Sequence, residues 1–593
     1  MLKFFYQFRM VKMRKEQVFR NVLFNLSFCI LMICFPFILG AQSGFDLTGR
    51  VSFRTESTGY DEESQIKPDS ISAEEYGKTT LIPGLSHRLN LAVFGRTKDM
   101  DLNLLSDLEY NDWNKFDLKR FSLNMIVSQH DIMIGDYFET LNETFIQSRE
   151  IRGARYRLLL NNTFGQNSFI HINALGGITQ KAVSEGEMLP DLYKQFESSG
   201  QYRRFLTAGE VKIGNSNHFD IALNYLWGED QQSSIDTSIN DPMANSVYGS
   251  YANLYFWERN IRFFGLYYYS LKDTLTAKNI NDFSFNGGVD LQYKSFKFIA
   301  LYQRLGYNYF SMGNPYLEND KEGFKGLLGY TIPDIISLSS DFEYYNDNLD
   351  NLSSLPTTLT RFLNISATSY IPGWPELTLR YGLRMDKSNT VYDGEENPVK
   401  TDRVTGKVEG GLSFGINETR FMISAIRLDM DDKSLLSSGA PLGTEQLIAN
   451  FNLYTPAIQN LFFSGGCVYS TLKMTNNQKN YNTYLYGALR WDIVPRRIQL
   501  ESNLTYINND ASGGDTQDLL NQYGHIIGRI SLEYFFSNQL SIKIIAGTDT
   551  KKFSYSTEQA LEIIADPTYG PTYFNSNESY NSLILGGEFN WIF

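Results

Sequence analysis

Three observations predict an all-β fold, a transmembrane antiparallel up-and-down β-barrel of about 26 strands (24–28) with no plug domain. Apolar and polar side chains alternate with a period of two along much of the chain. Short turns recur at intervals that give an even strand number. No apolar run after residue 41 is long enough for a membrane-crossing helix. The alternation is cleanest at the C-terminus, where Leu583, Leu585, Gly587, Phe589, Trp591 and Phe593 share one face. Ile584, Gly586, Glu588, Asn590 and Ile592 share the other. Phe219, Ile221, Leu223, Tyr225 and Trp227 alternate in the same way with Asp220, Ala222 and Asn224. So do Leu377, Leu379, Tyr381 and Leu383 with Thr378, Arg380, Gly382 and Arg384. Successive strand residues point to opposite faces, so one set can meet lipid while the other meets water.

Twelve short turns are legible. They lie near Arg96–Met100, Ser128–His130, Asn161–Asn167, Gly214–His218, Trp257–Asn260, Lys294–Phe296, Pro333–Ile335, Ile371–Trp374, Ile416–Thr419, Thr455–Gln459, Ile493–Arg496 and Ser537–Asn538. These imply about 24 strands, and adding Phe45–Thr55 and Tyr580–Phe593 brings the total to about 26. An even count places both termini on one side, expected to be periplasmic. The longer polar stretches Glu56–Gly84, Ile178–Tyr202, Gly228–Ser246 and Asp549–Ser579 are expected as extracellular loops. Trp257, Trp374, Trp491 and Trp591 fall at or beside the short-turn end, as an aromatic girdle requires.

Composition agrees. Aromatic residues make up 15% of the 593 and charged residues only 20%, which suits strands with one oily face. Residues 1–41 read as a signal peptide: Lys12, Arg14, Lys15 and Arg20 precede an apolar stretch from Val22 to Leu39, with cleavage expected after Ala41. The remainder, 42–593, is expected as a single barrel domain. Removing the leader, with six basic groups and one acidic group, takes the net charge from −13 to about −18. That disfavours nucleic acid as a partner. Cys467 is the only cysteine after the leader, so neither an intramolecular disulfide nor a Cys-based zinc site is expected, and no cofactor is implied.

The closing segment Gly587-Glu588-Phe589-Asn590-Trp591-Ile592-Phe593 resembles the C-terminal signal of Gram-negative bacterial outer-membrane β-barrel proteins of the porin-like class. The resemblance implies that Phe589, Trp591 and Phe593 are read by the barrel-assembly machinery. It also implies an outer-membrane location among lipid and lipopolysaccharide. Strand pattern begins about four residues after the expected cleavage. That spacing leaves no room for the plug of TonB-dependent transporters.

Motifs for catalysis are weak. Gly411-Leu412-Ser413-Phe414-Gly415 matches the G-x-S-x-G elbow, but it sits in an alternating strand with no helix after it. Ser470-Thr471-Leu472-Lys473 matches S-x-x-K but reads as a strand end. The five histidines, His87, His130, His171, His218 and His525, are too dispersed to form a metal motif. The acidic first loop and the Asp429, Asp431, Asp432 cluster lack EF-hand spacing and read as solvated surface.

The useful functional residues are charges predicted to face the lumen: Arg380, Arg384, Lys407, Glu409, Arg490, Glu501, Arg529, Glu533 and Glu588, together with Asp107, Glu109, Arg155 and Arg157. Mixed signs suit cross-strand pairs first and a field for permeating solutes second. The expected function is therefore non-enzymatic: a porin-like channel or conduit for polar solutes, constricted by Glu56–Gly84, Ile178–Tyr202 and Asp549–Ser579. A barrel scaffold or export partner of a surface or secretion complex, with a periplasmic or surface protein bound, is the second reading. A lipid hydrolase using Ser413 is the third. Ile134-Gly135-Asp136-Tyr137 and Ser311-Met312-Gly313-Asn314-Pro315-Tyr316 look more particular than generic loops, and the pattern offers only a turn at Gly313-Asn314-Pro315 to account for them.

Overall fold

A computed structural model of the chain describes residues 46–593 apart from 61–83, 112–114, 189–196, 236–240, 394–396, 436–442, 459, 475–478, 513–521 and 555–579. The expected leader 1–41 and the greater part of the Glu56–Gly84 and Asp549–Ser579 loops lie outside the described residues.

Twenty-six strands form one antiparallel sheet, each paired with its neighbours along the chain. The first, Asp46–Tyr60, pairs with the last, Tyr580–Ile592, and closes the barrel. The reason is local: the two-residue period gives every strand an oily and a polar face, and closure leaves no unpaired edge between them. Short turns end the strands, most of them at Gly, Asn, Asp or Ser. Ser128, Lys294, Asp334, Asn417, Asn460 and Arg496 all take φ between 51° and 68° there, the left-handed conformation of tight hairpins. One turn falls later than expected. The strand Thr444–Ile458 runs on through Pro456, which has no N–H to donate, and the register slips before Leu461. The start of the first strand and the end of the last lie at this short-turn end, since Asp46 pairs with Arg96 and Trp591 with Leu540.

The strand Phe219–Gln231 shows how the faces divide. Leu223 and Tyr225 are 65% and 52% exposed, while Asp220, Ala222, Asn224 and Leu226 between them are buried. Leu379, Val408, Leu504 and Ile544 are exposed on the same outer surface, so the barrel presents oil outward nearly all round. A sheet closed on itself with such an exterior is an outer-membrane type of barrel. Among the described residues the single helical element is the 3-10 turn Gln232–Ser234. Two small hairpins, Val183–Met188 with Glu197–Gln201 and Val391–Asp393 with Asn397–Val399, stand apart from the barrel sheet.

The fold class needs one correction: the up-and-down meander of strands stands, but the lumen it encloses is not unfilled. Two chain segments, Thr140–Ser148 and Gly306–Asp320, fold against the inner wall and fill part of the lumen. Their cluster contains Phe145, Ile146, Tyr309 and Met312, all at most 1% exposed. The expectation failed because period-two alternation describes walls only. The apolar residues at in-phase lumen positions, Leu206, Leu226, Val247 and Tyr268, belong to the filling.

A second cluster lies at the seam. Val51, Leu89, Leu91 and Val93 are buried, with Trp591 and Phe593 packed against them. Gly49 and Phe593 exchange backbone hydrogen bonds of 2.9 and 3.0 Å, and the Trp591 and Phe593 rings sit 4.8 Å apart. The closing aromatics thus cover the junction of the first two strands with the last. Phe593→Ala should lower stability by about 2 kcal/mol through lost ring burial. Urea titration of vesicle-embedded protein, followed by heat-modified gel mobility, would read the shift; an unchanged midpoint would show that the ring does not hold the seam.

Candidate functional site

The lumen has two unlike arcs. On one, covering the strands from His130–Glu139 to Phe296–Leu305, the inward segments are fastened to each other and to the wall. Asn142 starts a tight turn, accepting from the N–H groups of Phe145 and Ile146 at 3.1 and 2.9 Å. The turn aims both apolar side chains at the wall, and the Phe145 ring stacks on Tyr268 at 5.2 Å. The Tyr309 hydroxyl then donates to the Thr144 carbonyl at 2.7 Å, and Ser311 Oγ donates to that of Phe145 at 2.6 Å. Asn314 Nδ2 donates to the Glu143 carbonyl at 2.6 Å and to Gln147 Oε1 at 3.0 Å. Burial holds the Tyr309 phenol above its ordinary pKa, so it stays a donor.

Gly313 must be glycine for reasons of space. A Cβ there would stand 2.4 Å from the Phe145 carbonyl oxygen and 2.9 Å from Leu226 Cδ1. Asn245, 2% exposed, ties the second segment to the wall. Its amide nitrogen donates to Ser270 Oγ, Leu271 O and Phe310 O at 3.0–3.1 Å, and its oxygen accepts from the Met312 N–H at 2.9 Å. These contacts account for Ser311–Asn314, while Tyr316 at the end of the same stretch is 89% exposed.

The other arc is charged. Arg54, Arg490, Asp492, Glu501, Arg529 and Lys543, with Glu588, line a cavity of about 690 Å³ on the strands from Thr444–Ile458 round to Asp46–Tyr60. Most of the charges expected to face the lumen are cross-braced. Arg380 reaches Glu409 at 3.0 Å, with Lys407 on the same carboxylate at 3.0 Å. Arg384 pairs with Asp386 at 3.0 Å, Lys543 with Glu501 at 2.6 Å, and Arg490 approaches Asp492 at 3.7 Å. Glu533 accepts from Ser541 and Glu588 from Ser52. Asp107 pairs with Arg88, while Arg155 and Arg157 converge on Asp131 and Glu139 beneath the inward segments. Glu109 lies opposite Arg88 in the register.

Ser413 sits within the strand Asp402–Ile416, opposite Glu376 and Met422, with no elbow formed. Lys473 ends a strand and pairs with Glu445. His525 pairs with Asp549 at 2.7 Å and His130 with the Tyr156 hydroxyl at 2.7 Å.

No protein-family model and no curated protein matches the sequence. Solved structures that match include the copper transporter OprC, at TM-score 0.43 and 9% identity, with 92% of this chain and 80% of that one covered. The ferric yersiniabactin uptake receptor FyuA from Yersinia pestis matches at TM-score 0.41 and 8% identity, covering 93% and 81%. The siderophore receptor PirA from Pseudomonas aeruginosa matches at 0.39 and 10%, covering 92% and 80%. Likeness at this level says nothing about what the chain carries.

The decisive test of the inward arc is Asn245→Ala. It leaves the Met312 N–H without its present acceptor and removes the donor to Ser270 Oγ, which keeps its own bond to the Phe310 carbonyl, and should cost roughly 3 kcal/mol. Hydrogen exchange at the Met312 amide is expected to speed up at least tenfold while amides of the outer wall stay protected. Unchanged exchange would mean that other contacts suffice to hold the segment.

Proposed function

We propose that the chain is a passive, non-enzymatic conduit through which polar solutes cross the outer membrane. Both termini and the short turns would lie on the periplasmic side, and the longer loops outside. The observation that carries the reading is the division of the lumen. Barrels of about 16–18 strands already leave an aqueous channel, and a closed wall of 26 encloses more than its side chains fill. The inward segments occupy one arc and leave the charged arc around Arg529 and Lys543 as the path. Interspersed charges of both signs would hydrate polar solutes without holding an ion of one sign.

Refolded protein in planar bilayers should give stepwise conductance. Replacing 307–319 by a short Gly-Ser linker should raise the step at least twofold, because it clears the filled arc. Arg529→Glu should leave the step size near its starting value and move the reversal potential in a salt gradient toward cation preference. Closed bilayers at every voltage, for both the full chain and the linker variant, would sink the conduit reading.

A further inference from the structure

The barrel wall is not equally sealed everywhere. The strand Lys115–Val127 pairs with the strand before it along its whole length, from Met100 opposite Val127 to Asn111 opposite Lys115. Toward the strand after it, His130–Glu139, pairing runs only from Val127 opposite His130 to Ser122 opposite Gly135. From Asp136 to Glu139 that next strand keeps its other partner, up to Arg149. The two strands therefore part above Ser122.

Two local features place the split. The register between Met100–Asn111 and Lys115–Val127 slips at Asp107, leaving Lys119 as an extra residue that bends its strand. At the same level Gly135 takes φ +103°, where a Cβ would stand 2.1 Å from the Phe121 carbonyl oxygen. Side chains replace the missing ladder. The Phe121 N–H donates to Asp136 Oδ2 at 2.8 Å. Arg152, paired with Asp136 at 2.5 Å, donates from Nη2 to the carbonyls of Leu118 and Lys119 at 3.4 and 3.5 Å.

The split faces lipid. Leu118, Ile134 and Phe138 are exposed on the outer surface beside it, Phe138 at 61%. Asp131, Tyr137, Glu139 and Arg155 belong to the inner face, in the ion-pair network and apolar cluster described above. An ion pair standing among exposed apolar side chains is costly in hydrocarbon unless it satisfies backbone groups, as this one does. Long-range hydrogen bonds from two side chains part more readily than a strand ladder, and the groups so freed can be met by a polar head.

We propose that this seam is a lateral opening between lumen and outer leaflet for amphiphiles with a charged or zwitterionic head and an acyl tail. Asp136 and Arg152 latch it and receive the head, while Leu118, Ile134 and Phe138 guide the tail. Strand addition by a peptide is disfavoured because the latch already occupies the edge groups of Leu118, Lys119 and Phe121.

The test uses full chain with Cys29, Cys34 and Cys467 changed to Ser, refolded into vesicles containing a phosphatidylethanolamine with a diazirine in its acyl chain. After illumination, lipid adducts are mapped by mass spectrometry on the inner-face peptide residues Tyr137 and Arg155. Adducts should rise at least fivefold in Arg152→Ala. They should fall at least fivefold when Phe121→Cys and Asp136→Cys are oxidised to a disulfide, and return on reduction. Adducts confined to outward residues such as Phe138 in the parent and in Arg152→Ala would overturn the proposal, as would inner-face labelling unaffected by the disulfide. Conductance is recorded on the same vesicle protein, so loss of the aqueous path and loss of the lateral one are read separately.

Discussion

In hydrocarbon no water is present to satisfy an open peptide group, and that constraint organises the whole molecule. It forces the sheet to close, so Asp46–Tyr60 meets Tyr580–Ile592 across the full length of the chain. It also explains why Phe593 is drawn into the first strand by reciprocal hydrogen bonds with Gly49, with rings laid over the junction. Where the ladder does fail, above Ser122 and Gly135, charged side chains take over the pairing at once. A polar pair at such a place is a substitute for backbone bonds rather than an ordinary surface ion pair, which contributes little.

Closure creates a second problem inside. A wall of this circumference cannot be filled by side chains, and the chain resolves this unequally. One arc is packed like a small protein core, with Phe145, Ile146, Tyr309 and Met312 against Leu206, Leu226 and Tyr268. Asn245 is buried there with both ends of its amide in use. The other arc stays charged, and its carboxylates pair with Arg and Lys on the same strand, on the next strand or one strand further on. Such pairs are partly solvated and screened, so they tune the local field more than they hold the barrel together.

Much of this was legible from residues alone, and the particular cases show why. The turn at Ile416–Thr419 and the phase of Phe219–Trp227 follow from neighbours a few residues apart, and both stand where the pattern puts them. The turn at Thr455–Gln459 was misplaced because Pro456 reads as a breaker, whereas at a bulge its missing N–H costs nothing. The constriction was sought in the longest loops. Most of the Glu56–Gly84 and Asp549–Ser579 loops lies outside the described residues, and within those described two shorter segments fill part of the lumen with apolar residues that look unremarkable one at a time. A signal was present: large apolar residues at the lumen phase of consecutive strands, Leu206, Leu226, Val247 and Tyr268, where a hydrated wall would carry polar ones.

By itself the sequence determined the strand period, the short turns, the oily exterior and the even count, because these depend on side-chain direction along an extended chain and on turn chemistry. Only the tertiary structure decided that Tyr309 would find Thr144 and that Ser311 would find Phe145, partners more than 160 residues apart in the chain. It alone decided that Asp136 and Arg152 would bridge to Leu118, Lys119 and Phe121. Those choices rest on which strands closure brings side by side and on what a glycine at 135 or 313 lets approach. No local period encodes either.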